Sequence, residues 1–192
     1  FEGYVFSFKR KEIAFLSQDE INRFSNLELS IESEKKTKEL FLFALYTGLS
    51  YADIIALKWH QIHSDEKGSK YIFNKRKKTG ETFIVPLLKP SLKILKNKTE
   101  TKEGLIFEYI SNAFLNRQLK KLAIKAHIFK NLTFHIARHS FATTITLNND
   151  VPLITVSKML GHSNVKTTQI YAKVLQKKVS SDMEILNKKL FE

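Results

Sequence analysis

The chain has 192 residues, enough for one domain with a real core and marginal for two. Lysine and arginine total 32 against 19 acidic residues, and the net charge of +13 points to a polyanionic partner: DNA, RNA or an anionic surface. A hydrophobic share of 43% excludes a disordered chain, and the lack of cysteine excludes disulfides and thiolate metal sites and fits a reducing cytoplasm; no apolar run is long enough to span a bilayer.

Phe1–Arg10 is too short and polar for a signal peptide, and Tyr4–Phe8 alternates loosely, as a strand or a linker end would. Ser17-Gln18-Asp19-Glu20 is a capping box, followed by Ile21, Phe24 and Leu27 at helical spacing. Glu34–Thr47 predicts a stronger helix with Leu40, Phe41, Phe43, Ala44 and Leu45 on a wide apolar face, closed by Gly48. Ser50 then caps a short helix with Asp53 at its third position.

From Trp59 the period changes. Gln61–His63, Lys70–Lys75 and Thr82–Pro86 predict three short strands, with turns at Asp65–Gly68 and Lys77–Gly80. Pro90–Lys98 and Asn112–Ala126 read as helices. Thr133 is placed to cap a helix running to about Leu147, and Pro152 falls in the first turn of the next. Gly161 closes that helix, Ser163 or Asn164 caps a second short one, and an amphipathic helix with Met183, Ile185 and Leu186 ends the chain. Helices, a small antiparallel sheet and more helices make a mostly helical α+β domain.

The chemistry-bearing residues are scattered. His135 and Arg138 lie one turn apart on one helix face, where the guanidinium fork can take two oxygens of a phosphate and the imidazole can hold or accept a proton. His135 and His139 have the spacing of a metal pair, but no Glu stands between them and no third ligand is evident. Lys75, Arg76, Lys77 and Lys78 crowd a hairpin tip, where basic residues make nonspecific phosphate contacts. Met159–Lys173, MLGHSNVKTTQIYAK, presents His162 in a turn and Tyr171 nine residues on. A phenol there is either a packed core residue or a nucleophile aimed at phosphate.

The order of these motifs is more telling than any one of them. TGL at a helix end, LKW, a KTG hairpin leading to VPL, HIARHSFAT and MLGHSNVKTTQIYAKV together resemble the catalytic domain of the tyrosine recombinases, the phage-integrase family. The resemblance covers Leu40 to about Val174, and TGLSYADI looks most like integrases of conjugative transposons and related mobile elements. It implies residues 1–16 as a linker from an upstream domain and 17–192 as the catalytic domain. By that likeness Tyr171 attacks a scissile phosphodiester and forms a 3′-phosphotyrosyl link. Arg138 stabilises the non-bridging oxygens, Lys78 is the general acid, His135 is the base or orients the phosphate, and His162 hydrogen-bonds it. Bond energy is conserved, so no ATP, metal or other cofactor is implied. The implied partner is double-stranded DNA in a bacterial cytoplasm, gripped by a homotetramer in the synaptic complex, with a monomer compatible with the DNA-free state and no membrane association. Ser180–Leu190, with apolar residues on one side, is either the helix that the family trades between subunits or one that packs back on its own domain.

One position departs from the pattern. The family carries an arginine directly after TGL, and here that residue is Ser50, which brings a hydroxyl and no charge. Either another cation replaces it, with Lys38 and Arg76 as candidates, or the domain is a DNA-binding module that cleaves slowly or not at all. A type IB topoisomerase shares the chemistry, but the LGHSN block favours a recombinase; no RNP-like aromatic strand suggests an RNA-binding protein.

Overall fold

The computed structural model describes residues 13–77, 79–99, 104–171 and 179–191, and its fold is the expected mostly helical α+β arrangement with one three-stranded antiparallel sheet. Tyr4–Phe8 and Lys78 lie outside the described residues.

Everything is arranged around α2 (Glu32–Thr47). Leu40, Phe41, Phe43, Ala44 and Leu45 are all buried, because α4 (Lys89–Lys96), α5 (Asn112–Lys125) and α6 (Phe134–Ser140) pack on different sides of it. A helix covered on several sides needs no wide polar stripe. Phe41 packs 4.9 Å from Phe24 of α1 (Gln18–Ser25) and 6.4 Å from Phe134, while Phe43 packs 4.9 Å from Phe107. Each such ring stabilises the fold by roughly 1.5–3 kcal/mol relative to exposure.

Ser17 and Glu20 form the reciprocal capping box at the start of α1. Helix α2 ends at Gly48, whose φ is +68°; a Cβ there would lie 2.4 Å from the Phe141 ring. Both the backbone conformation and the contact require glycine. Ser50 caps α3 (Tyr51–Ile55) as expected.

The sheet runs β1 (Ile62–Ser64), β2 (Lys70–Lys75) and β3 (Thr82–Pro86), with β2 in the middle. Ile72 stands opposite Ile62 and Val85. Ile72, Phe83 and Val85 are buried, while Phe73 and Ile84 face solvent, the period-two alternation of a one-sided sheet. Gln61 falls in a single 3-10 turn (Trp59–Gln61), so β1 begins one residue later than expected.

The helix expected from Thr133 to Leu147 is broken into three. Thr133 makes no side-chain cap; the Phe134 N–H donates instead to Asn116 Oδ1 of α5, at 2.7 Å. The α-helix stops at Ser140, and Phe141–Thr146 continue as a π-helical stretch into a 3-10 turn, Leu147–Asn149. Thr143 and Thr146 donate their hydroxyls to carbonyls four residues back, which loosens an α-helix. Leu16 also intrudes: its N–H donates to Ser140 Oγ at 2.8 Å, and its carbonyl accepts from Thr144. The segment ahead of α1 is thereby stitched to the HIARHS helix.

Pro152 is the N-cap of α7 (Leu153–Met159). The second short helix of the MLGHSN block is two 3-10 turns, Val165–Thr167 and Gln169–Tyr171. The last helix, α8 (Val179–Phe191), leaves Met183, Leu186, Leu190 and Phe191 exposed. Among the described residues no helix is long and apolar enough to cross a membrane.

Candidate active site

Arg138 projects from α6 into the junction between the end of α2 and the end of α7, and is only 8% exposed. One terminal nitrogen, Nη1, donates to the Gly48 carbonyl and the other, Nη2, to the Leu160 carbonyl, both at 2.7 Å. Gly48 and Leu160 are the residues that end those helices, so the helix C-termini supply the acceptors. Burial, then the neighbouring Arg76, push the Arg138 pKa down to about 10, so it stays charged at neutral pH.

Arg138 Nη2 also lies 3.0 Å from His162 Nε2. A guanidinium only donates, so Nε2 must accept and the neutral imidazole carries its proton on Nδ1. Nδ1 in turn lies 2.8 Å from Thr168 Oγ1, which accepts that proton. Burial, followed by Arg138 and Arg76, lowers the His162 pKa to about 4. Gly161, at φ +59°, makes the turn possible: a Cβ there would sit 2.8 Å from Arg76 Nε.

Arg76 leaves the hairpin at the end of β2 and turns inward, only 7% exposed. Its Nε donates to the Leu160 carbonyl at 2.8 Å, the same oxygen that Arg138 uses. Its Nη1 pairs with the buried Asp53 carboxylate, and its guanidinium lies 4.3 Å from the centroid of the Phe83 ring. Asp53 also accepts from the Ser50 hydroxyl at 2.6 Å and from the Lys77 N–H at 3.2 Å. Burial works to raise the Asp53 pKa, but the Ser50 hydroxyl, Arg76 and the Lys77 N–H outweigh it and hold the carboxyl below the usual range. Ser50 is thus both a helix cap and part of the shell that fixes Asp53 and, through it, Arg76.

Tyr171 is 3% exposed, and its phenol lies 2.8 Å from His139 Nδ1. Burial raises the phenol pKa and Arg138 partly offsets the rise. Burial, then His135 and Arg138, lower the His139 pKa to about 4. His135 is one turn away on the open side of α6, its ring edge-on to His139 with centroids 4.3 Å apart. Burial of the ring and then Arg138 lower its pKa as well.

Arg138, His162, Arg76 and Tyr171 therefore meet at one place, with His135 at its rim. Lys75 and Lys77 are exposed at the hairpin beside it. Lys38 does not join them: its Nζ donates to the Leu27 carbonyl at 2.7 Å, between α1 and α2. It lies ten residues before Gly48 along α2, about 15 Å of helix, too far along it to replace the missing arginine. Sequence reading weighed His139 only as a metal partner of His135, and it passed over Thr168 and the pairing role of Asp53. The signal for His139 was its place beside Arg138 in HIARHS, and for Asp53 its place three residues after Ser50.

Residues 14–178 match the phage integrase family. The chain is similar to the tyrosine recombinase XerD of Oceanobacillus iheyensis, 30% identical over 177 aligned positions covering 86% of this chain and 59% of that protein. Among solved structures it is similar to the XerH site-specific recombinase bound to palindromic difH substrate in a post-cleavage complex, with a TM-score of 0.71 at 23% identity over 92% of this chain and 54% of that one. The Tn1549 transposon integrase in complex with circular intermediate DNA gives 0.68 at 17% identity, over 93% of this chain and 68% of that one. At those identities the two structures speak for the fold. The chain spans about half the length of the curated relatives it matches. The matched span takes in every segment that builds the arginine pocket and the tyrosine turn, and the chain belongs to the phage integrase family, the tyrosine recombinases.

Proposed function

We propose that this chain is the catalytic domain of a site-specific recombinase that integrates or excises a mobile element, cutting and rejoining DNA strands through a 3′-phosphotyrosyl intermediate. One observation carries the reading: a phenol and two guanidinium groups from three distant segments converge beside two histidines, with Arg76 and Arg138 sharing the Leu160 carbonyl. Two buried cations side by side repel each other. A phosphodiester bound between them removes that repulsion and receives charge-assisted hydrogen bonds in a dry site.

In this scheme Tyr171 attacks phosphorus. Arg138 holds the non-bridging oxygens, and their charge grows in the transition state. Arg76 supplies the second guanidinium that Ser50 does not; its support is its burial, its partner Asp53 and its place next to Arg138. His162 gains a proton as the phosphate anion arrives and then donates to it. Lys78 gives a proton to the departing 5′ oxygen. Lys75 and Lys77 hold the backbone of double-stranded DNA from the hairpin. The protein works on DNA in the cytoplasm, as a homotetramer across two duplexes, and the exposed apolar residues of α8 are the seam traded between subunits. The TGLSYADI motif supports the mobile-element assignment.

The test is a pool of nicked duplexes of randomised sequence, on which the active chain forms an SDS-resistant adduct that Tyr171→Phe abolishes. Ser50 favours the alternative of a binding module that does not cleave, and salt-sensitive association without any adduct selects that alternative. Ser50→Arg separates the two routes to charge. With Arg76 in the role, the change brings no gain in adduct rate, because it removes the Ser50 hydroxyl that holds Asp53 and through it Arg76; a tenfold gain, worth about 1.4 kcal/mol, shows that Arg76 does not fill it.

A further inference from the structure

We propose that His139, rather than His135, is the base that takes the Tyr171 proton, a proposal that rests on the recombinase reading above. A phenol buried to 3% exposure gives up its proton reluctantly, because desolvation penalises the phenolate. Attack on phosphorus therefore needs an acceptor already in contact with the oxygen. Among the described residues the Tyr171 phenol has one side-chain hydrogen-bond partner, His139 Nδ1 at 2.8 Å. The rings are tilted by 59° with centroids 5.6 Å apart, so the phenol meets the imidazole at its nitrogen and not across its face. His135 has no hydrogen bond to Tyr171; it touches the edge of His139 from the solvent side.

The environment keeps His139 neutral, so its nitrogen lone pair is available to the phenol. Part of what suppresses its basicity is the charge of Arg138. A scissile phosphodiester on Arg138 cancels that charge locally and raises the basicity of His139 when substrate arrives. The base is then weak in free protein and stronger in the complex, which protects against idle ionisation of the nucleophile. In the step itself the Tyr171 O–H bond breaks and an N–H bond forms at His139 Nδ1. The phenolate oxygen bonds to phosphorus as the bond from phosphorus to the 5′ oxygen breaks. The 5′ oxygen takes a proton from the acid on the opposite side, the role assigned to Lys78. Religation runs the same transfers in reverse and returns the His139 proton to the phenol.

The experiment uses the full chain on nicked duplex DNA, comparing wild type, His139→Asn and His135→Asn, each with tyrosine or the more acidic trifluorotyrosine at position 171. Asparagine keeps a hydrogen-bonding atom near the Nδ1 position but cannot accept a proton. His139→Asn is expected to lower the adduct rate by about 100-fold or more with DNA affinity unchanged, and trifluorotyrosine is expected to restore most of that loss. His135→Asn is expected to lose less than His139→Asn and to gain nothing from the acidified phenol. If His139→Asn does not fold, His139→Gln carries the same comparison. A rate within threefold of wild type overturns the proposal, as does a loss of equal size with either phenol, which marks His139 as merely holding the tyrosine. Absence of adduct from wild type itself fails the recombinase reading instead, so the two failures are told apart.

Discussion

The arginine half of the site and the tyrosine half are held by different kinds of bond. Arg138 and Arg76 are tied to the carbonyls of Gly48, Met159 and Leu160 and to the Asp53 carboxylate, so the pocket is welded to the ends of α2, α3 and α7. Tyr171 ends two consecutive 3-10 turns, and its phenol is fastened by one side-chain hydrogen bond. The two guanidinium groups are thus built into the fold by several bonds, whereas the Tyr171 phenol is held by one hydrogen bond and by burial of its ring. Damage to the first half should therefore cost stability and chemistry together, and damage to the second half chemistry alone.

The sharpest way to break that contrast is to compare Arg138→Ala with Tyr171→Phe. Both are expected to abolish the adduct. Arg138→Ala strips the Gly48 and Leu160 carbonyls of a buried donor and should lower unfolding free energy by about 2–6 kcal/mol, whereas Tyr171→Phe loses one hydrogen bond, about 1 kcal/mol. Equal destabilisation in denaturant titrations would erase the distinction. Next in size is Arg76→Ala, which leaves Asp53 buried without its cation and should cost roughly 3–5 kcal/mol. Adding Asp53→Asn should recover much of the stability but none of the cleavage rate, and recovery of both would remove Arg76 from the chemistry.

A smaller effect is set by pH. His139 and His162 titrate near 4 when folded, below the ordinary value of about 6.5. Well above 6.5 neither state binds protons there, so these residues give no pH dependence. As pH falls from about 6.5 towards 4 the unfolded chain binds protons that the folded chain refuses, and stability drops. Melting temperatures across that window should fall less steeply in His162→Asn. The smallest expected change is in Lys75→Ala at the hairpin: DNA affinity should weaken evenly across sequences, and the slope of log affinity against log salt should fall by about 1.

The same division decides what was legible in the sequence. The strands, the Gly48 and Gly161 turns and the Ser17 and Ser50 caps were readable because period-two alternation and cap chemistry are local. The motif blocks carried His135, Arg138, His162 and Tyr171 into one candidate site. The break in the HIARHS helix was only partly readable: the threonine hydroxyls that bond back along the helix are local, but the Leu16 backbone that bonds to Ser140 and Thr144 comes from more than a hundred residues away. Thr133 looked like a cap by type, yet Asn116 of α5 took that role through packing. Lys38 and Arg76 were equal as cations in the sequence; only the fold turns one toward Leu27 and the other toward Asp53. His139 showed only as a partner spaced from His135, and its phenol partner lies 32 residues on.

Catalysis in this scheme requires that Tyr171 become covalently joined to DNA within the arginine pocket. The most direct measurement is mass spectrometry of the digested SDS-resistant complex formed on nicked duplex. The expected product is a nucleotide linked by its 3′ phosphate to the peptide that contains Tyr171, with a free 5′-hydroxyl on the released strand. A folded, DNA-bound chain that yields no adduct, or a phosphate found on any other residue, would contradict it.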